Sequence, residues 1–282
     1  LKIWENLSLE LNYNVMFSQR GVMNLAHNEH DIKEMKRRIS ANRLNGLDSR
    51  WIDTNEIKEL VPIMNTDNLR YPVLGAAFQP RGGVARHDAI AWGFAMRADE
   101  MGVDIIQNCE VKKIKTENGK VLGVETSKGF ISSDKVGVVA SGHTSVLAAT
   151  AGVRLPLQSR PLQALVSEPI KPVINTVVMS NAVHAYVSQS DKGELVIGAG
   201  TDGYNSFTQR GGYDVIEETV RAIVELYPIF GKMKMLRQWG GIVDICPDAS
   251  PIISKCYVKG LYFNCGWGTG GFKATPGSAN VF

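Results

Sequence analysis

The sequence predicts a mixed α/β (α+β) fold, with an antiparallel sheet inserted between parts of an α/β domain. Three observations carry that prediction. Residues 135–151 run from an apolar strand through Ser141-Gly142-His143 into a helix-like segment, the order found in phosphate-facing turns. Residues 155–200 hold four strand-like segments in succession, with the hairpin signal Asp191-Lys-Gly193 between the last two. Residues 261–282 pass from an apolar strand through four glycines in six positions, 266–271, into a helix from Lys273.

Each element has its own reason. A strand is expected at 17–25 and a helix at 29–42; a second helix, 54–60, must stop before Pro62. Residues 75–84 carry glycines and a proline and read as a connection. Asp88 is expected to cap a helix, 89–101, that Gly102 ends. Segments 105–115 and 121–127 read as strands around the Glu117-Asn-Gly-Lys120 turn. Strands at 161–168, 176–179, 184–189 and 194–199 form the inserted sheet. A helix follows at 213–226, then strands at 239–245 and 250–254.

Composition narrows the function. With 44% hydrophobic and 21% charged residues, the 282-residue chain is globular and can hold one large or two modest domains. A formal net charge of +3 and the absence of a dense Lys/Arg run argue against nucleic acid; the busiest basic stretch, 33–38, reads as a solvated helix face. The spacing of Cys109, Cys246, Cys256 and Cys265 suits neither a disulfide framework nor a metal site, so no metal is expected and a reducing, cytoplasmic setting is. No apolar run of about 18 residues implies a membrane span. The chain starts on Leu1-Lys-Ile-Trp, without methionine and within a helix-like pattern, and stops inside another; a piece of a longer protein is expected.

Glycines at 266–271 permit positive φ and let backbone lie flat against a planar ligand, and a helix N-terminus beyond them supplies positive potential. The stretch Cys265-Gly-Trp-Gly-Thr-Gly-Gly-Phe-Lys273, together with Lys135-Val-Gly-Val-Val-Ala-Ser-Gly-His143 and Trp239-Gly-Gly-Ile-Val-Asp-Ile-Cys-Pro-Asp-Ala-Ser-Pro251, resembles the amine-oxidising flavoproteins that include D-amino-acid oxidase, glycine oxidase and monomeric sarcosine oxidase. More narrowly, the whole chain is similar to the β subunits of heterotetrameric sarcosine oxidases. Gly75-Ala-Ala-Phe-Gln-Pro80, Gly102-Val-Asp-Ile-Ile-Gln-Asn-Cys-Glu110 and Leu162-Gln-Ala-Leu-Val-Ser-Glu168 carry that narrower likeness.

The resemblance implies an FAD-binding domain of the D-amino-acid oxidase type with an antiparallel substrate domain. Its expected parts are 1–80 (substrate domain), 81–152 (FAD/FMN part), 153–238 (antiparallel sheet) and 239–282 (return to the FAD domain); the glycine-rich βαβ fingerprint for the ADP half would precede Leu1. It implies that Gly142 approaches noncovalent FAD and that Gly266, Gly268, Thr269, Gly270, Gly271 and Phe272 line the isoalloxazine, with 239–241 passing nearby. Lys273 would pair with the substrate carboxylate. His184 and Tyr186, two residues apart, would line the substrate cavity. His87, in Gly82-Gly-Val-Ala-Arg-His-Asp88, would carry covalent FMN, with Arg86 favouring a neutral imidazole and Arg81 and Arg86 near the FMN phosphate. His27 and His30 read as exposed, and His143 as a supporting group.

The implied reaction is oxidative demethylation of sarcosine to glycine, with hydrogen peroxide formed and the one-carbon unit released as formaldehyde or passed to tetrahydrofolate through a partner subunit. Alpha, gamma and delta subunits would complete the heterotetramer. One departure concerns oxygen: monomeric sarcosine oxidases place a lysine on the strand that here reads Gly193-Glu-Leu-Val-Ile-Gly198. The alternatives are a single-flavin oxidase or dehydrogenase of dimethylglycine, glycine or proline, and a noncatalytic subunit.

Overall fold

Residues 1–67 and 69–282 are described by the computed structural model, with backbone alone at 199. Helix α1 (Lys2–Glu10) turns Leu7 inward. The strand expected at 17–25 is two, β1 (Ser18–Gln19) and β2 (Val22–Ala26). They break at Gly21, whose φ of +82° and contact with Phe78, 2.6 Å from where a Cβ would stand, exclude a side chain. Asn28 starts α2 (Glu29–Leu44) by accepting from the Asp31 amide. After β3 (Arg50–Ile52), Asp53 does the same for α3 (Thr54–Leu60).

The connection expected at 75–84 contains β4 (Gly75–Gln79) and β5 (Gly83–Val84). Helix α4 (His87–Glu100) begins two residues before the expected start, so Asp88 lies within its first turn rather than at its cap. Next come β6 (Val111–Glu117), β7 (Lys120–Thr126) and β8 (Gly129–Ser132). Asn118 and Gly119, at φ +51° and +74°, make the first hairpin turn. Strand β9 (Val136–Val138) leads through the 3₁₀ turn Ser141–His143 into α5 (Thr144–Thr150).

The middle of the chain supplies β10 (Gln158–Pro169), β11 (Val177–Ser180), β12 (Ala185–Gln189) and β13 (Glu194–Thr201), then α6 (Tyr213–Leu226). Strand β14 (Met235–Ile245) is one continuous element, so the boundary expected between 238 and 239 falls inside a strand. It is followed by β15 (Ile252–Lys255), β16 (Leu261–Cys265), the 3₁₀ turn Gly268–Gly270 and α7 (Gly271–Ala279).

An eight-stranded sheet, ordered β14-β10-β13-β12-β11-β2-β4-β3, dominates the molecule. All its pairs are antiparallel except β11–β2. A smaller sheet, β15-β16-β9, pairs β16 with β9 in parallel. Alternation assigns the faces of the large sheet. Leu25, Val178, Val187 and Ile197 point to the core that Ala222, Ile223 and Leu226 of α6 close. Met179, Tyr186 and Gly198, in register across β11, β12 and β13, point the other way. That second face meets the 266–273 segment.

Candidate functional site

The glycine segment is held from below by β14. The buried Asp244 carboxylate accepts from the Gly266 amide at 2.6 Å, and Ile245 bridges Trp267. Gly266 adopts φ +75° with Leu157 and Cys246 against it; Gly268 adopts φ +52°. Trp267 turns its indole N–H onto Asn264 Oδ1 at 2.7 Å. The chain then tightens through Gly268–Gly270 and opens α7 with no side-chain cap.

Between this segment and the second face of the large sheet lies a cavity of about 740 Å³, within the range of small-molecule sites. Gly266, Gly268, Thr269, Gly270, Phe272 and Lys273 line one side, and Met179, His184 and Tyr186 the other. The structure thus brings together eight of the sequence-expected residues. Gly271 is outside the lining; it seats the first turn of α7 against Trp267.

Lys273 is solvent-exposed and its Nζ stands 3.9 Å from where a Cβ on Gly270 would be. Among the described residues no carboxylate pairs with it. Burial pushes the Tyr186 phenol above its ordinary range, so it stays a neutral donor. Gly198 makes room for it: a Cβ there would lie 2.8 Å from the Tyr186 ring. His184 is not the start of a strand, as expected, but the last residue of a turn at φ +46°. It stands between this cavity and a neighbouring one of about 440 Å³ under α6.

Two cysteines flank the loop and remain thiols. Burial, then Asp244 and Cys246, push Cys265 up to about 12. Cys246 is raised first by its hydrogen bond to Asp248, which in turn lies below its ordinary range.

Gly142 is buried in the Ser141–His143 turn and abuts the same β14: a Cβ would fall 2.2 Å from Ile242 Cγ2. Its carbonyl accepts from Ser159 Oγ at 2.5 Å. Two residues on, Thr144 is fully buried with its hydroxyl unpartnered. Turn and glycine loop therefore share one supporting strand. Exposed His143 stacks on Phe207 at 5.0 Å, away from the cavity.

His87, exposed at the first residue of α4, lines a separate cavity of about 730 Å³. Arg86 and Arg81 do not line it. Arg86 pairs with Asp88, and Arg81 with Glu5, its Nε donating at 2.8 Å. The guanidiniums beside His87 are those of Arg210 and Arg237, with Trp239 nearby. Alternation along β14 puts Arg237 and Trp239 on one face, a signal present in the sequence; Arg210, in an irregular segment, had none. His27 also differs from expectation. It is buried, with Nδ1 3.1 Å from the Tyr71 carbonyl and Nε2 2.7 Å from Ser180 Oγ. A carbonyl only accepts, so in the neutral ring Nδ1 carries the proton and Ser180 donates to Nε2.

Comparison with known proteins gives a consistent picture. Residues 1–282 match the family DAO, described as FAD dependent oxidoreductase. The sarcosine oxidase subunit beta of Rhodobacter capsulatus is 58% identical over 98% of this chain and 67% of its own length. That of an Arthrobacter species is 58% identical over 99% and 69%. Among solved structures, L-proline dehydrogenase from P. horikoshii superposes with a TM-score of 0.89 at 27% identity, over 98% of this chain and 73% of that one. Glycine oxidase from Geobacillus kaustophilus reaches 0.86 at 19% identity, over 99% and 75%, a likeness of fold.

Proposed function

The chain belongs to the DAO family of FAD dependent oxidoreductases, and on that premise we propose that it is the sarcosine-oxidising β subunit of a heterotetrameric enzyme. The product is glycine, with hydrogen peroxide formed. The one-carbon unit leaves as formaldehyde or passes to tetrahydrofolate on a partner subunit, alpha, gamma and delta chains completing the assembly. Free cysteines support a reducing, cytoplasmic setting. No helix among the described residues is long and apolar enough to cross a membrane.

The observation that carries the reading is the placement of Lys273 at the edge of a glycine-lined cavity, opposite Tyr186. The cavity fits a flat ring system: nothing lies within 4 Å of where a Cβ on Gly268 would stand, so backbone itself forms the wall. When bound, FAD supplies the acceptor for a hydride from the N-methyl carbon, and FMN the outlet to oxygen.

The residues do the rest by electrostatics and positioning. The Lys273 ammonium holds the substrate carboxylate and so fixes which carbon faces the ring. The first amides of α7 and the positive end of its dipole, about half an elementary charge, favour negative charge beside the glycines. Tyr186, kept neutral, donates into the cavity, and His184 closes its rim. At the second cavity, His87 is the attachment point for FMN, and Arg210 and Arg237 suit its phosphate.

The test is anaerobic reduction of the assembled, flavin-loaded enzyme by sarcosine. Lys273→Met is expected to need far more sarcosine for the same rate; reduction as ready as the parent's at low sarcosine refutes the carboxylate role. Acid denaturation tests His87: colour retained by the parent chain and released from His87→Asn supports attachment. Complete release from the parent favours the second reading, a single-flavin dehydrogenase of another secondary amine, to which the likeness to L-proline dehydrogenase points.

A further inference from the structure

Lys273 enters α7 directly after a glycine-rich stretch. Four glycines precede it, the helix has no side-chain cap, and Pro276 removes one amide from the ladder above it. A side chain from the other end of the sequence meets it there. The indole Nε1–H of Trp4 donates to the Lys273 carbonyl at 2.8 Å, across 269 residues. The Trp4 ring also lies 5.5 Å from Phe272 and 6.0 Å from Phe17, both tilted.

Trp4 is itself well anchored. On α1, Leu7 joins Leu11, Val15 and Ile90 of α4 in a buried cluster against which Trp4 and Phe17 rest. On another side Glu5 accepts from Gln19 Nε2 and from the Arg81 guanidinium, each at 2.8 Å. The indole donor therefore comes from a helix packed on a buried cluster, and its acceptor is the backbone of the residue whose ammonium lines the cavity.

We propose that Trp4 is a positioning residue for Lys273: its N–H and ring hold the first turn of α7 so that the ammonium stands over the glycine wall. This rests on the reading of Lys273 as the carboxylate-binding group. Trp4 touches no substrate; it acts through the backbone of Lys273.

The experiment uses the assembled, flavin-loaded enzyme with Trp4→Phe, which keeps an aromatic ring and removes the N–H, alongside Lys273→Met and the double variant. Acetate, a carboxylate that cannot be oxidised, is titrated against the flavin spectrum, and anaerobic reduction by sarcosine separates the apparent Kd for sarcosine from the limiting rate of reduction. Net loss of one hydrogen bond predicts acetate affinity and the apparent Kd for sarcosine worse by about 3–10-fold in Trp4→Phe. The limiting rate stays within about twofold, and nothing further is lost on the Lys273→Met background.

An unchanged acetate affinity in Trp4→Phe, with Lys273→Met impaired, overturns the proposal while leaving the carboxylate reading intact. Equal losses from Trp4→Phe in the presence and absence of Lys273 also overturn it, since Trp4 would then act by general stability. If Lys273→Met itself binds acetate normally, the carboxylate reading falls first. Should Trp4→Phe fail to assemble, benzothienylalanine at position 4, a bicyclic near-isostere in which sulfur replaces the indole N–H, serves in its place with the same two outcomes.

Discussion

Replacing Asp244 by alanine tests how the glycine loop is held. The Asp244 carboxylate is 3% exposed and accepts from the Gly266 amide at 2.6 Å. Gly266 is packed as well as bonded: its φ is +75°, and Leu157 and Cys246 stand 3.3 and 3.5 Å from where its Cβ would be. A hydrogen bond to a charged acceptor contributes about 1.5–3 kcal/mol, and an orphaned buried amide costs a similar amount if no water reaches it. Asp244→Ala is therefore expected to lose about 2–4 kcal/mol, lowering Tm by about 4–8 °C for a chain of this size. Asp244→Asn keeps an acceptor oxygen in place and is expected to recover about half of that loss. Thermal unfolding followed by tryptophan fluorescence reads both variants. Melting of Asp244→Ala with the parent would show that the loop does not depend on this contact. Equal losses in the alanine and asparagine variants would show that charge, not the acceptor, is what Gly266 requires.

Two other outcomes follow from buried polar groups. Tyr227 is fully buried with its hydroxyl unpartnered, and burial raises its phenol, so Tyr227→Phe is expected to leave Tm unchanged or raise it by the equivalent of about 1 kcal/mol; a clear fall in Tm would reveal a partner for that hydroxyl. For Cys265, the thiol rises from an ordinary 9.0 to about 12 in the folded state, so the native chain holds that proton more tightly than the unfolded one. Its contribution is complete below pH about 9 and disappears as pH rises toward 12. Cys265→Ala should flatten the alkaline loss of stability in that window, measured as midpoint against pH; an unchanged slope refutes the assignment.

Local chemistry was legible along the chain. Asn28 and Asp53 begin helices because their side chains accept from amides three residues on, a signal contained in four residues. Asn118 and Gly119 specify a hairpin turn by tolerating positive φ. The glycines of 266–271 announced a strand-to-helix turn with bare backbone, and Lys273 beyond them lies on the cavity wall.

Contacts across the sequence were decided only by the fold. The parallel pairing of β11 with β2 joins segments more than 150 residues apart, as the 153-residue separation of His27 and Ser180 records, and it buries a histidine that opens the polar run 27–31. Arg81 and Arg86 were read as phosphate neighbours from proximity in sequence; acidic partners from α1 and α4 engage them, and the folded chain brings Arg210 and Arg237 to His87. Caps, turns and alternation act through a few adjacent dihedrals, so sequence alone carries them. Which charges meet, which histidine loses water and which indole reaches Lys273 depend on strand order and register, which only burial of the shared core determines.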